Sequence, residues 1–232
     1  MLSHEPRFSR IAALIADPTR ARMLSVLLGG EHRSAGELAT AAGITPQAAS
    51  TQLGQLLDNA LVTMRQQGRH KYFALADASV AHALEALAMV AERDTVGKRW
   101  AKPAYQPLKC ASRCYGHMAG ELGVAQFDML QRRKYLEQGK ESLQLSTQGQ
   151  AWLTDLGVTL PSNLKSRLAY PCMDWSERRD HLAGSLAIAL LEHYLKQDWL
   201  RADKQSRALK LTPEGQRFLL PLLKVNSHDR VT

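Results

Sequence analysis

No cysteine occurs in the first 109 of the 232 residues, and only Cys110, Cys114 and Cys172 follow. So small and odd a set cannot build a disulfide scaffold, which excludes the cysteine-rich secreted class. No stretch of about 18 apolar residues is present, so no segment is suited to spanning a membrane. Glu5, Arg7, Arg10 and Asp17 break up the N-terminus before any apolar run develops, unlike a secretory leader. The sequence also has no Gly-rich phosphate loop, dinucleotide fingerprint or oxyanion-hole motif. Cys172 and His181 could in principle pair as nucleophile and base, but without such motifs no catalytic residue is assigned. These absences lead to an expectation of a soluble, cytoplasmic, non-enzymatic protein in a reducing compartment.

What is present is basic. The formal net charge is +8 and the pI is near 9.6, a balance that favours a polyanionic partner. The excess is uneven. Residues 1–100 hold eleven Lys and Arg against nine Asp and Glu, and residues 101–232 hold nineteen against thirteen. The total therefore says less about a partner than a local basic edge would.

Such an edge lies between Ile44 and Leu75. Gly43 ends one segment, and Thr45-Pro46 opens a helix with an N-cap residue followed by proline at the first helical position. Ala49, Leu53 and Leu56 recur at helical spacing and would face inward. A strand from Leu61 to Arg65, a turn at Gln66-Gln67-Gly68 and a strand from Arg69 to Leu75 follow. This is the layout of a winged helix-turn-helix, and it points to double-stranded DNA as the partner. The major groove admits one helix whose N-terminal residues reach base edges. Thr45, Gln47, Ser50, Thr51 and Gln52 occupy that position. Arg65, Gln67, Arg69 and Lys71 flank the Gly68 turn and would meet phosphates or the adjacent minor groove.

The surrounding pattern is helical. Phe8, Ile11, Ala12, Leu14 and Ile15 form a stripe ending near Asp17-Pro18, and Met23, Leu24, Val26 and Leu27 form another, stopped by Gly29-Gly30. Ser34 with Glu37 three residues on predicts a capping box. Asp77 is placed to cap a last helix bearing Val80, Ala83, Leu84, Leu87 and Val90.

Residues 8–92 resemble the ArsR/SmtB family of bacterial transcriptional repressors. The resemblance is carried by Ala16-Asp17-Pro18-Thr19-Arg20-Ala21-Arg22-Met23-Leu24, by Glu37-Leu38-Ala39 through Gln52-Leu53, by Leu61-Val62, and by Arg65 through Tyr72. It implies a homodimer paired through the first and last helices of this domain, bound to a two-fold symmetric operator and released by an effector. The departures are informative. Thr51 stands where many relatives carry Arg. Asn59-Ala60 stand where a Gly commonly ends the recognition helix, so Asn59 is expected to take the left-handed conformation. The family's metal sites are not reproduced. The third helix has no thiolate pair, and Asp77, His82 and Glu85 lack a matching second His.

The second half repeats itself. His117-Met118-Ala119-Gly120-Glu121-Leu122 returns as His181-Leu182-Ala183-Gly184-Ser185-Leu186, and Leu145-Ser146-Thr147-Gln148-Gly149 returns as Leu211-Thr212-Pro213-Glu214-Gly215. Two matches in order at nearly one offset predict a duplicated unit, each copy a helix, a short strand and a helix, with a cleft between the copies. Each copy carries a Cys before its His, Cys114 with His117 and Cys172 with His181. On a helix Cys114 and His117 would share a face. A two-Cys, two-His site would suit Zn2+ or a softer ion, while the alternatives are a small-molecule pocket and simple packing of small thiols and helix-crossing histidines. No metal ligand or cofactor is assigned on this basis. Asp174, Trp175, Arg178 and Arg179 add a stacking face and cations for an aromatic or acidic effector, with Asp174 holding one Arg. Equally, Asp174 or Ser176 would cap a helix running from Arg178 to Leu195.

The expected fold is mainly α with a short β wing. Residues 1–97 form the winged helix-turn-helix for DNA binding and dimerisation, and 98–107 a linker. Residues 108–232 form an effector-sensing domain of two α-rich repeats, about 108–166 and 167–232. The function expected is an effector-responsive homodimeric repressor released by a small ligand. A metal- or thiol-redox-sensing repressor using the Cys and His residues is the alternative, and a DNA-organising protein or thiol enzyme fits less well.

Overall fold

The computed structural model describes residues 8–91, 106–139, 142–160, 167–204 and 206–223. The linker expected over 98–107 lies outside the described residues except for Gln106 and Pro107, which open a short helix. No helix among the described residues is long and apolar enough to cross a membrane.

The N-terminal elements follow from their caps. Helix α1 (Phe8–Ala16) stops at Asp17, whose carboxylate accepts from the amides of Thr19 and Arg20 at 2.9 Å and so caps α2 (Pro18–Leu27). A two-residue strand β1 (Arg33–Ser34) leads into α3 (Ala35–Ala42). The capping box forms: Ser34 N–H donates to Glu37 Oε2 at 2.8 Å, and Glu37 N–H donates to Ser34 Oγ at 3.3 Å. Gly43 at φ +70° reverses the chain, and Thr45 accepts from Ala48 N–H at 3.2 Å to start α4 (Pro46–Asp58).

Asn59 does not supply the left-handed residue that the sequence suggested. It sits at φ −108°, and Ala60 takes φ +54° instead. The Asn59 side chain donates to Gln55 O at 2.8 Å, which keeps Asn59 in the last turn of α4 and moves the reversal one residue on.

Strands β2 (Val62–Gln67) and β3 (His70–Leu75) pair antiparallel from Val62↔Leu75 to Gln67↔His70. β1 joins the other edge of β3, giving the order β1-β3-β2. Asp77 caps α5 (Ala78–Ala91), accepting from the amides of Ser79 at 2.7 Å and Val80 at 3.1 Å. Met23, Leu24, Leu27, Leu38, Leu53 and Leu56 are buried at the centre, closed over by Val62, Phe73 and Leu75. Each such side chain contributes roughly 1.5–3 kcal/mol of burial, so this core fixes how α4 is presented. On α5, Ala81, Leu84 and Glu85 are buried, whereas Leu87 and Val90 are exposed.

The chain forms two compact units, the first reaching Leu84 and including the segment around 204–207, the second beginning at Glu85 within α5. In the second unit α6 (Gln106–Cys110) is followed by β4 (Ser112–Cys114), β5 (His117–Ala119), α7 (Glu121–Arg132), β6 (Leu136–Gln138), β7 (Leu143–Leu145) and α8 (Thr147–Leu156). Then come β8 (Tyr170–Met173), β9 (Asp180–Ala183), α9 (Ser185–Lys196), β10 (Leu200–Ala202), β11 (Leu209–Leu211) and α10 (Pro213–Leu223).

The order hairpin, helix, hairpin, helix thus occurs twice, with four two-stranded antiparallel sheets. This corrects the expectation of helix, strand, helix within each copy, because each helix is preceded by a two-stranded hairpin; helices still make up most of the described secondary structure. The physical reason is the strand length. Segments of three or four residues bounded by turns are too short to show a period in the sequence.

The two halves agree in detail. Gly120 and Gly184 end β5 and β9 at φ +80° and +100°, and a Cβ on either would lie 2.5 Å from a backbone oxygen, that of Lys109 or Leu168. Ser146 Oγ donates to Lys134 O at 2.8 Å and accepts from Gly149 N–H at 3.0 Å. Thr212 Oγ1 donates to Asp198 O at 2.5 Å and accepts from Gly215 N–H at 2.9 Å. The core is drawn from both halves, with Leu122, Met129, Leu130, Leu182, Leu186, Leu190 and Tyr194 buried.

Candidate functional site

The outward side of α4 is polar and open. Gln47, Ser50 and Thr51 are exposed. Ser50 Oγ donates to Pro46 O at 3.0 Å and Thr51 Oγ1 to Gln47 O at 3.5 Å, which leaves their lone pairs outward for donors on base edges. Thr45 serves as the cap. Gln52 is more constrained: its Oε1 accepts from Arg20 Nη1 at 2.7 Å, and the same guanidinium reaches Gln55 Oε1 at 2.7 Å and Leu14 O at 2.7 Å. Arg20 therefore braces α4 against α1. Sequence reasoning missed this brace, because a surface arginine carries no local signature of the helix it will hold.

The wing is equally open. Arg65, Gln67, Arg69 and Lys71 are all exposed, with Gly68 at φ +59° in the turn. Arg65 opposes Tyr72 and Gln67 opposes His70, while Lys71 opposes Gln66 and so projects to the other face of the ribbon. No carboxylate lies between Asp58 and Asp77. The hairpin is thus a local positive edge next to a polar helix face, the combination that tracks a phosphate backbone.

The remnants of a family-type metal set do other things. Asp77 caps α5, His82 is exposed and Glu85 is buried.

The second unit gathers Cys114, His117, Cys172 and His181 so that one donor atom from each lies within 4.8 Å of all the others. The means differ from the sequence expectation. Cys114 and His117 are not on a helix face; they are cross-strand partners at the end of β4–β5, joined by Tyr115 and Gly116 at φ +47° and +93°. Two positive φ values in a two-residue loop make a tight hairpin turn that sets the two side chains side by side. The Tyr-Gly pair between Cys and His was the available signal. Likewise Cys172 and His181 are cross-strand partners in β8–β9, and the helix expected from Arg178 begins only at Ser185.

Cys114, His117 and His181 are buried and Cys172 is partly so. The two Nε2 atoms of His117 and His181 stand 3.0 Å apart, with ring centroids at 4.9 Å. Cys110, in α6, is outside this group.

Asp174 organises the centre. It is fully buried, and its Oδ1 accepts from Ser176 N–H at 2.9 Å, Ser176 Oγ at 2.7 Å and Glu177 N–H at 3.1 Å. Its Oδ2 accepts from Gly120 N–H at 2.6 Å and lies 3.0 Å from His181 Nδ1 in a fully buried pair. Asp174 therefore does not hold an arginine, because both of its oxygens are committed. Arg179 pairs with Asp128 at 2.7 Å on the surface, Arg178 turns the loop at φ +54°, and Trp175 is packed at 9% exposure with no open stacking face.

These contacts set the protonation states. Hydrogen bonding from Cys114 outweighs burial and, with His117 and His181, holds the Cys172 thiol far below its usual range as a thiolate. Burial disfavours a charged His181, but the contacts with Asp174 and Cys172 overcome it and raise the ring to about 9. Burial would raise Asp174 too, yet His181 and Gly120 N–H leave it ionised, below the usual carboxylate range. The arrangement is a buried, charge-rich set of two sulfurs and two imidazoles, able to hold a metal ion.

An exposed polar helix beside a basic wing defines a winged helix-turn-helix protein of the DNA-binding class. The comparisons agree. A helix-turn-helix domain model matches residues 15–65. An uncharacterized HTH-type transcriptional regulator of Bacillus subtilis, YdfF, is 33% identical over 213 residues, covering 91% of this chain and 94% of its own length. The HTH-type transcriptional regulator CmtR of Mycobacterium tuberculosis is 41% identical over 93 residues, 39% of this chain and 78% of its own. Among solved structures, the homodimeric winged helix-turn-helix DNA-binding domain of Mb0332 from Mycobacterium bovis aligns with 43% of this chain and 97% of its own at 25% identity, TM-score 0.37. The chain belongs to the ArsR family of winged helix-turn-helix regulators and is a DNA-binding transcriptional regulator.

Proposed function

We propose that this regulator is an effector-responsive repressor that binds a two-fold symmetric operator as a homodimer and leaves it when the second unit is engaged. The observation that carries the DNA half of this reading is the open polar face of α4, Gln47, Ser50 and Thr51, beside the exposed wing cations Arg65, Arg69 and Lys71. Dimerisation draws support from apolar side chains left uncovered on α1 and α5: Phe8 is 71% exposed and Val90 55%. The sensing role of the second unit draws support from its buried Cys and His cluster, which DNA binding by a wing does not need.

The test is selection of binding sites from a random DNA pool, followed by fluorescence anisotropy and sedimentation on the winning duplex. The expected sites are inverted repeats with half-site centres about one helical turn, 10–10.5 bp, apart, bound by two chains. Selection of single half-sites bound by one chain would overturn the dimeric reading.

A further inference from the structure

We propose that Cys114, His117, Cys172 and His181 bind one Zn2+ per chain, in a four-coordinate site closed by protein ligands and clamping the β4–β5 hairpin to the β8–β9 hairpin. The donor chemistry is selective: two thiolates with two imidazoles suit Zn2+ among the common divalent ions. The geometry is near what the ion requires. With Zn–S about 2.3 Å and Zn–N about 2.0–2.1 Å, tetrahedral donors sit roughly 3.3–3.8 Å from one another. The four donors here already lie within 4.8 Å of one another, and the two histidine Nε2 atoms, 3.0 Å apart, are close to the N···N edge of such a tetrahedron. Small rotations of side chains would complete the set.

Charge balance also favours the ion. Two thiolates match its double charge, so the ion and its four ligands would together be neutral, and the remaining buried charge at this centre, Asp174, is held by its own hydrogen bonds. Asp174 supplies the outer support that such a site needs. Its carboxylate faces Nδ1 of His181 and leaves Nε2 for the metal, the carboxylate–histidine–metal arrangement that fixes tautomer and ring orientation. Its bond from Gly120 N–H ties that support to the start of α7, in the other half of the unit.

Four protein ligands leave no position for a substrate or water, so the ion would hold structure together and not perform hydrolysis. Any role of this ion as the regulatory effector rests on the repressor reading above; its binding does not.

The test is an anaerobic titration of the full chain with Co2+, after reduction and removal of metal by a chelator. The expected result is the intense visible spectrum of tetrahedral Co2+ with a thiolate-to-cobalt charge-transfer band. It should saturate at one ion per chain and be bleached by an equal amount of Zn2+. Cys172→Ser and His181→Ala should abolish this spectrum, and Cys110→Ser should keep it. Asp174→Asn should keep the spectrum but weaken affinity by about 10–100-fold. That variant guards against mistaking misfolding for lost ligation, with far-UV circular dichroism as the check.

Weak octahedral bands in the parent chain would overturn the proposal, as would saturation unchanged by Cys172→Ser. So would an intact mass short of two hydrogens under reducing conditions, which would signify a Cys114–Cys172 disulfide. Anisotropy on the selected duplex is scored separately. Lost DNA binding with an intact cobalt spectrum would sink the repressor reading alone, and the reverse would sink the metal site alone.

Discussion

The two units place their chemistry oppositely. In the first, the capable side chains lie outside: Gln47, Ser50, Thr51, Arg65, Arg69 and Lys71 are exposed over a core of leucines. In the second, they lie inside: Cys114, His117, Asp174 and His181 are buried and the outer surface holds ordinary ion pairs such as Arg179–Asp128. A partner as large as a duplex can be met only on a surface, whereas a single ion can be met in a core that closes on it. Position thus separates a macromolecular partner from a small one before either is identified.

Truncating the two cores should give the largest effects. Leu53→Ala and Leu186→Ala remove fully buried side chains, each at a cost of about 2–5 kcal/mol. Residues 1–84 contain no tryptophan, and Trp152, Trp175 and Trp199 belong to the second unit. Leu186→Ala should therefore shift the urea midpoint followed by tryptophan emission, while Leu53→Ala should be seen as lost affinity for duplex DNA. A Leu186→Ala emission midpoint equal to the parent's would show that the second core is not the one described.

Glycine replacements sharpen the contrast further, because one sign is expected in each unit. At Gly215 an added Cβ would run into the carbonyl of Trp199, so Gly215→Ala should destabilise by about 1–3 kcal/mol. Gly54, in α4, meets nothing within 4 Å, and there the same change should stabilise by about 0.4–1 kcal/mol through the unfolded chain. Thermal unfolding of both variants gives the two signs directly.

Between these in size lies the wing. Arg69→Ala with Lys71→Ala should weaken binding to all duplexes alike and lower the slope of log affinity against log salt by about 2 per bound chain, about 4 for two chains on a full operator. A change confined to sequence preference would instead place these cations at base edges.

The same contrast explains what could be read beforehand. Ser34 with Glu37, Gly43, Thr45-Pro46 and Gly68 act over three or four residues, so the helix-turn-helix and its wing were visible in the sequence. β1 was not, because two residues gain strand character only by pairing with β3. The Cys and His residues were visible as types, and their assembly was not. His117 and His181 are 64 residues apart, and local periodicity says nothing about convergence at that range. The i,i+3 spacing of Cys114 and His117 suits a helix face, but Tyr115-Gly116 makes a turn there and pairs them across strands instead. Asp174 meets His181 and not an arginine, a contact that is illegible locally because a carboxylate near two arginines is more conspicuous than one near a distant histidine.

One feature of the second unit bears on how the protein responds to dilution. Each of its two hairpins carries one sulfur and one ring nitrogen, half of a four-donor set, and both hairpins belong to a single chain. Linkage turns an encounter between halves into an intramolecular one, with an effective concentration on the order of millimolar. The four donors are therefore complete at any protein level a cell maintains. A two-chain arrangement on DNA has no such guarantee and varies with the number of copies.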